Sequence, residues 1–450
     1  MADPDPASVP PVSSGATARA PLPATVITLG WVSLLQDIAS DMSYPLLPLF
    51  LSETLKAPAL VLGGIEGCAE ALISLVQGWS GIQSDRIGQR VPFVRGGYGL
   101  AALGKLLLPW AHAWPVVLAA RLVDRLGKGL RGSARDALIA DVVPRGQLGQ
   151  AYGLHRAMDT AGAVIGALFA MLVLIYRPGD YRDVFLVSLI PAVASALLTW
   201  RVREPPKGTA TPKSTTQETA AAPKQPRTFR DLPAAYWRVF SLLLIFALAN
   251  SSDTFLLLRG KDLGLSDAAV VGLYVVMNVV AAISAYPAGL KSDKVGRWWL
   301  LVIGWVLFAG VYGGMSIATS KSIWALLAVY GLYSGLTQGV SKALIADHAP
   351  SDAKGLAIGT YQMGLGFATL TSSLVTGWLW DRYTPATPFQ VSAVLTVVAL
   401  VLVPVLRPSK PPAPSRPQAS GPENRRGATR REEQGGGPSG PSLAAESARA

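Results

Sequence analysis

The pentapeptide Ala137-Leu-Ile-Ala-Asp141 recurs unchanged as Ala343-Leu-Ile-Ala-Asp347, at an offset of 206 residues. Each copy stands at the end of a long apolar segment, and the same offset matches Gly153 to Gly359. Repetition at such a distance indicates one structural unit that is present twice in parallel. The chain is therefore predicted to consist of two related halves.

The composition of the chain is that of a protein embedded in lipid. Half of the 450 residues are apolar, 15% are charged, and the mean hydropathy is +0.36. Backbone groups in lipid must be hydrogen-bonded within their own segment, so apolar runs of about 20 residues are predicted to be helices. The alternating pattern of a membrane barrel is absent. The predicted fold class is an all-α integral membrane protein with twelve spans, at 24–50, 58–83, 93–111, 114–140, 149–176, 182–201, 235–257, 266–290, 298–318, 322–345, 353–379 and 386–406.

The spans group into two predicted bundles of six helices, at 24–201 and 234–406. The central loop at 202–233 separates them and is rich in Thr, Pro, Ala and Lys. This loop and the two tails, 1–23 and 407–450, are predicted to be disordered and cytoplasmic. The first tail also lacks the basic start and apolar core of a cleaved signal peptide.

The formal net charge of +12 indicates membrane sidedness, not nucleic-acid binding. Clusters of Lys and Arg follow spans 2, 6 and 8, whose ends lie on one side of the membrane. By the positive-inside rule that side is predicted to be cytoplasmic. We expect a multi-pass, monomeric protein of a bacterial inner membrane, surrounded by the lipid bilayer and without a nucleic-acid partner. The lone Cys68 excludes an intrachain disulfide.

Two similar loop sequences stand at equivalent places in the halves: Gly81-Ile-Gln-Ser-Asp85-Arg86-Ile-Gly88-Gln-Arg90 and Gly289-Leu-Lys-Ser-Asp293-Lys294-Val-Gly296-Arg297. Their glycines allow a tight turn, the aspartate can cap a helix, and the basic residues hold the loop at the inner face. Over 24–406 the chain resembles the major facilitator superfamily, whose signature loop has this pattern. The resemblance implies two six-helix bundles related by a pseudo-twofold axis around a central cavity. It also implies a gating role for Gly81, Asp85, Arg86, Gly88, Arg90, Gly289, Asp293, Lys294, Gly296 and Arg297.

Span 5 carries Gly153, Gly162 and Gly166, a spacing similar to the motif of exporters in this superfamily. Ala167 replaces the proline that the motif would place after its third glycine, so the match is partial. The strings around Asp37-Ile-Ala-Ser-Asp-Met-Ser-Tyr-Pro and Asp124-Arg-Leu-Gly-Lys-Gly-Leu-Arg131 resemble a bacterial branch of the superfamily without a settled substrate.

Charged side chains are costly in a bilayer, at about 2.5 to 3.5 kcal/mol each near its centre, and usually face partners, water or a ligand. The charges of span 4 fall within roughly 140° of the helix circumference. The resemblance directs this face toward the central cavity. The predicted substrate cavity comprises Tyr44, Arg121, Asp124, Arg125, Lys128, Arg131, His155, Arg156, Asn250, Asp253, Gln338, Lys342 and Gln362.

The acidic residues near these bases allow two interpretations. In one, acids and bases simply pair and tie the helices together. In the other, a carboxylate alternates between protonated and ionised states as the bundle rocks, and so carries a proton. Asp37 and Asp41 are the favoured carriers, because span 1 is expected to line the cavity and span 2 mostly its periphery. The candidates for proton coupling are Asp37, Asp41, Glu66, Glu70 and Asp159.

The chain lacks a phosphate-binding loop, a zinc-protease motif, paired cysteines and a nucleophile elbow, so neither an enzyme nor a cofactor or metal site is predicted. We expect a proton-coupled secondary transporter that moves a small organic solute by alternating access. The excess of bases on span 4 favours an anionic or zwitterionic solute, and export is slightly favoured, as in an antiporter. The alternatives are a proton symporter for uptake of an organic anion or metal chelate, and a sensor or scaffold that does not transport.

Overall fold

A computed structural model describes residues 22–143, 147–204, 232–350 and 354–408. The side chains of a few helical positions lie outside this description, among them Asp85, Gly289, Asp293, Lys294 and Gln338. The segments predicted to be disordered, 1–23, 202–233 and 407–450, also lie outside the described residues except at their edges. The described residues up to Arg407 form one compact unit, so the division at the central loop stays a prediction.

The all-helical fold class is confirmed, since every predicted span is present and its ends lie within five residues of the prediction. The first half contains Ala24–Ser43 with short helical turns to Thr54, then Ala59–Ile87, Val91–Leu107, Trp114–Val142, Leu148–Tyr176 and Tyr181–Leu198. The second half contains Ala234–Ala249 with Thr254–Asp262, then Asp267–Val295, Arg297–Ser316, Ser322–Asp347, Lys354–Arg382 and Thr387–Leu406. Of the described helices, eight are long and apolar enough to cross a membrane by length and composition alone. Span 4, with its charged face, is not among those eight.

Span 7 is interrupted, which the sequence analysis did not predict. Its helices end at Ala249 and resume at Thr254, and Asn250 leaves the helical conformation with ψ 92°. The Ser252 N–H donates to the Ser373 hydroxyl of span 11 at 3.2 Å, which replaces a helical hydrogen bond. Irregular backbone at this depth is tolerated where it is buried in protein or lines a cavity.

The two halves meet along two helix pairs, spans 2 and 11 and spans 5 and 8. Small residues bring spans 2 and 11 close together. A Cβ at Gly63 would lie 2.1 Å from the Ser373 carbonyl oxygen, and a Cβ at Gly377 would lie 2.5 Å from that of Ala59. Only glycine permits this backbone approach, as in other closely packed membrane helices.

The two ends of the helical unit differ. One apolar core runs through the second half and, at the end that we call the closed side, joins Leu47, Leu49 and Phe50 of the first half to Phe255 and Leu256. At the other end, the loop side, a separate apolar cluster draws its buried residues from the first half alone. Apolar side chains from both halves therefore pack together at the closed side.

Candidate functional site

Three adjoining cavities lie inside the helical unit. The mouth cavity, of about 870 Å³, extends from Asp37 and Asp41 toward Arg297 at the loop side. The charged chamber, of about 450 Å³, is lined mainly by the first half. The aromatic chamber, of about 400 Å³, is lined mainly by the second half. The mouth cavity and the charged chamber share Asp37, Asp41 and Lys128, and the two chambers share Tyr44, Glu70 and Asp253.

Span 4 supplies most of the charge in the charged chamber. Its lining residues are Arg121, Asp124, Arg125, Lys128 and Arg131. Apart from the adjacent Asp124 and Arg125, these positions recur every three residues, so a single helix face carries them all. Leu126, on the opposite face, is exposed at the outer surface of the helical unit.

Two of the span 4 charges are neutralised by buried ion pairs. Arg121 donates three hydrogen bonds of 2.7 to 3.0 Å to the carboxylate of Glu66, whose residue is 1% exposed. Lys105 of span 3 donates to Asp124 at 2.7 Å. These two pairs tie span 4 to spans 2 and 3.

Asp37 and Asp41 of span 1 both face the cavities, and Asp41 also reaches the second half. The Tyr274 hydroxyl of span 8 donates to the Asp41 carboxylate at 2.5 Å. The rings of Tyr274 and Tyr44 lie 5.6 Å apart, and the Arg121 guanidinium lies 5.5 Å from the centre of the Tyr44 ring. Asp41 is therefore a carboxylate at the contact between the halves.

The expectation that span 2 faces mostly the periphery is wrong for its two acids. Glu66 and Glu70 lie one turn apart and both point toward span 4, where Glu66 binds Arg121 and Glu70 lines both chambers. The reason is the close packing of span 2 against span 4, which places these acids among the bases.

The polar residues of span 5 lie nearer the mouth. Arg156 and Asp159 line the mouth cavity, whereas His155 is 5% exposed and its Nδ1 lies 3.4 Å from the Asp159 carboxylate. The two glycines of the partial exporter motif that follow on this span are packing contacts. A Cβ at Gly162 would lie 2.5 Å from the Leu34 carbonyl oxygen of span 1, and one at Gly166 would lie 2.4 Å from that of Ile38.

In the second half, the interruption of span 7 brings Asn250 and Asp253 to the aromatic chamber, together with Lys342 of span 10. Asp253 accepts a hydrogen bond of 2.5 Å from Tyr330. Gln362 of span 11 is half-buried and is not a lining residue of these three cavities.

The signature loops show a matching ion pair in each half. Arg90 lies 3.3 Å from Asp141, the last residue of the first pentapeptide. Arg297 forms the corresponding pair with Asp347, the last residue of the second. Gly88 and Gly296 both adopt positive φ, 68° and 97°, which explains the glycines in these loops. The predicted gating role of the loops is not tested by these contacts.

Several residues of the site were missed by the sequence analysis. Lys105 of span 3 lines the charged chamber, and Tyr274 of span 8 donates to Asp41 without lining these cavities. Most of the aromatic chamber was also missed, and its rings belong to Phe246, Trp305, Tyr330, Tyr333 and Tyr361. The offset of 206 residues could have found Tyr330, because it places Tyr330 at the position of Asp124.

Comparison with known proteins agrees with this architecture. The sequence profile of the Major Facilitator Superfamily matches residues 29–341 and 260–433. An uncharacterized MFS-type transporter of Methanocaldococcus jannaschii is 29% identical over 390 residues, covering 84% of this chain and 94% of that protein. The multidrug resistance protein MdtH of Cronobacter sakazakii is 25% identical over 369 residues, covering 80% and 88%.

Solved structures show the same fold at low sequence identity. The nucleoside transporter NupG superposes with a TM-score of 0.68 at 12% identity, over 86% of this chain and 100% of that one. A bacterial homolog of the human lysosomal transporter Spinster, in an inward-facing and occupied conformation, gives 0.65 at 16% identity, over 85% and 95%. The chain therefore belongs to the Major Facilitator Superfamily, as a secondary transporter of small solutes and not an enzyme.

Proposed function

We propose that the transporter couples the movement of a small organic anion to protons, with Asp37 and Asp41 as the proton-carrying groups. The observation that carries the proposal is the position of Asp41. It lines the cavities and, in the same geometry, binds Tyr274 of the other half at 2.5 Å. A proton on this carboxylate would change the contact between the halves, and a ligand can shift a conformational equilibrium only through such a differential interaction.

The loop side is, in this proposal, the cytoplasmic side of a bacterial inner membrane, and the open mouth cavity corresponds to an inward-facing state. The basic loops after spans 2 and 8 support this orientation through the positive-inside rule. Movement of the halves about the pairs formed by spans 2 and 11 and spans 5 and 8 would then open the closed side.

The direction of transport is proposed as export. The spacing of Gly162 and Gly166 on span 5 and the multidrug resistance proteins among the relatives support this direction. In an exporter of this kind, entry of protons through Asp37 and Asp41 drives the solute outward.

Uptake by proton symport is the second candidate, and the charges of the charged chamber favour it. Protonation of Asp37 or Asp41 would remove a negative charge beside Lys128, which lines the same two cavities. That change would strengthen the attraction for an anion, so protons and solute would bind together.

The test is a flux measurement with the full chain in liposomes that contain a pH-sensitive dye. A panel of small organic anions is applied, with neutral and cationic analogues as controls. We expect a transported anion to change the internal pH, and a protonophore to abolish that linkage. The sign of the pH change separates antiport from symport.

Asp37→Asn and Asp41→Asn should each reduce the proton flux by about tenfold or more, since the carrier group is removed. Asp180→Asn, at an exposed carboxylate between spans 5 and 6, is the matched control and should leave the flux unchanged. Solute flux that is indifferent to the proton gradient and to both substitutions would refute the proposal. Binding without any flux would favour the sensor alternative.

A further inference from the structure

The charged and aromatic chambers form one continuous site with two different walls. They share Tyr44, Glu70 and Asp253, so a solute that fills one chamber can extend into the other. Their volumes, about 450 and 400 Å³, suit a small organic molecule. The walls therefore define two chemical requirements for a single solute.

The charged wall contains two buried guanidinium groups, each with one nitrogen that makes no hydrogen bond to a described residue, and that of Arg131 also lies 4.6 Å from the centre of the Tyr98 ring. The Nε of Arg125 and one terminal nitrogen of Arg131 have no hydrogen-bond partner among the described residues. Both residues are buried, at 7% and 6% exposed, and both line the charged chamber. The carboxylate nearest to Arg125, that of Asp124, is 3.9 Å away and is already bound by Lys105.

Arg121 of the same helix differs from these two arginines, because its guanidinium donates three hydrogen bonds to Glu66. A buried donor without a partner is costly, and a guanidinium is shaped to bind an oxyanion with two parallel hydrogen bonds. The unsatisfied atoms on Arg125 and Arg131 therefore indicate an oxyanion subsite.

The aromatic wall is built from rings that contact one another and enclose the second chamber. Phe246 and Trp305 are stacked with centroids 4.5 Å apart, and the Tyr330 and Tyr333 rings lie 5.3 Å apart. These residues line the aromatic chamber. Stacked or edge-on contacts with such rings favour a planar aromatic group over an aliphatic chain of equal area.

Acids at the junction limit the charge of the solute. The carboxylates of Glu70 and Asp253 both line the boundary of the two chambers. They would repel a second negative charge placed at the ring end, whereas they would accept hydrogen bonds from a donor group there. The junction therefore favours a solute with a single negative charge.

We propose that the solute is an aromatic monoanion, with its oxyanion bound by Arg125 and Arg131 and its ring in the aromatic chamber. This inference rests on the proposed function, since it names the solute that the proposed transporter carries. It adds the requirement for a ring at one end and a single oxyanion at the other.

The test compares four small probes by calorimetric titration of the full chain in lipid nanodiscs. Phenylpropionate has both groups, phenylpropanol lacks the charge, hexanoate lacks the ring, and phenylpropylamine carries the opposite charge. We expect phenylpropionate to bind at least about tenfold more tightly than each of the others, because hydrogen bonds to charged groups and ring contacts each contribute on that order.

Two variants test which wall binds the oxyanion of the probe and which wall binds its ring. Arg125→Gln should weaken phenylpropionate to the level of phenylpropanol and leave phenylpropanol unchanged. Tyr333→Leu should weaken phenylpropionate and phenylpropanol but leave hexanoate unchanged. Arg177→Gln, at an exposed arginine between spans 5 and 6, is the control and should change none of them. Melting curves check that each variant is folded. If a variant is not folded, the order of the four probe affinities in the wild-type protein tests the inference by itself.

Equal binding of hexanoate and phenylpropionate, tighter binding of the amine, or no binding by any probe up to its solubility limit would overturn the inference. These titrations use no gradient, so a lack of proton coupling would leave the ranking intact and refute only the proposed function. If a non-aromatic solute shows proton-linked flux and phenylpropionate does not bind more tightly than the other probes, only this inference is refuted and the proposed function stands.

Discussion

Spans 4 and 10 are equivalent helices of the repeat, yet they present opposite chemistry to the interior. At the offset of 206 residues, the charged positions of span 4 meet neutral ones on span 10. Three of the span 10 positions, Tyr330, Ser334 and Thr337, line the aromatic chamber, so this part of the face has kept its position while its side chains have diverged. The matched pairs are Arg121 with Leu327, Asp124 with Tyr330, Arg125 with Gly331, Lys128 with Ser334, and Arg131 with Thr337.

The ends of the same two helices have not diverged. Asp141 pairs with Arg90 in the first half, and Asp347 pairs with Arg297 in the second. The two halves therefore carry the same ion pair at the loop side. Along the chambers they differ, since the first half presents ion pairs and the second half presents aromatic rings. Four sets of substitutions test how far this division holds, beginning with the one of largest expected effect.

Breaking the ion pair that has no counterpart in the second half should be most damaging. Glu66→Gln leaves the Arg121 guanidinium buried without its countercharge, which should lower the free energy of unfolding by about 3 to 5 kcal/mol. Denaturant titration in detergent measures this loss. Glu53→Gln, at an exposed position, is the control. A loss below that of an ordinary surface substitution would mean that the pair does not hold spans 2 and 4 together.

The next largest effect is expected from a substitution at the contact of span 5 with span 1. Gly162→Leu forces a side chain against the Leu34 backbone, where a Cβ alone would lie 2.5 Å from the carbonyl oxygen. Overpacking of this kind should cost about 1 to 3 kcal/mol. Gly153→Leu is the matched control on the same helix, because no atom lies within 4 Å of a Cβ there. Equal losses at both positions would show that the close approach is unimportant.

The closed side contains a contact between halves that the repeat does not duplicate. The Asp381 carboxylate of span 11 accepts hydrogen bonds from the Ala59 and Leu60 N–H groups, at 2.9 and 2.8 Å, and so caps the start of span 2. Asp381→Asn should weaken this cap by about 1 to 2 kcal/mol and increase opening at the closed side.

Labelling of a cysteine at Leu47, in a Cys68→Ser background, measures that opening, since Leu47 is buried in the core of the closed side. The labelling rate should rise in Asp381→Asn. Asp183→Asn, at a half-exposed carboxylate in the first turn of span 6, should not change it. An unaltered rate in both variants would mean that the cap does not resist opening.

The smallest effects are expected at the loop side, where the two halves carry the same ion pair. Asp141→Asn and Asp347→Asn each remove one partly exposed ion pair, so each should cost about 1 kcal/mol or less. The two losses, measured by denaturant titration, should be equal within error. A clear difference between them would show that the loop sides have diverged as well.

The sequence sufficed for the helices because long apolar runs mark most of the membrane spans, and the ends were predicted to within five residues. It also sufficed for the charged face of span 4, because helical periodicity fixes which residues share a face. It did not predict the interruption at Asn250, because no proline or glycine marks it. Nor could it distinguish Arg121, which is hydrogen-bonded to Glu66, from Arg125, whose Nε has no hydrogen-bond partner in the described part of the chain, since these contacts depend on how spans 2 and 3 approach span 4.

The interruption of span 7 has a consequence for mutagenesis. At residues 250–253, which line the aromatic chamber, one peptide group is held from another helix, since the Ser252 N–H donates to the Ser373 hydroxyl of span 11. Alanine scanning removes side chains and keeps every peptide group. A scan of residues 250–253 will therefore leave this contact between spans 7 and 11 intact, and an ester substitution that removes the Ser252 N–H is the experiment that would measure it.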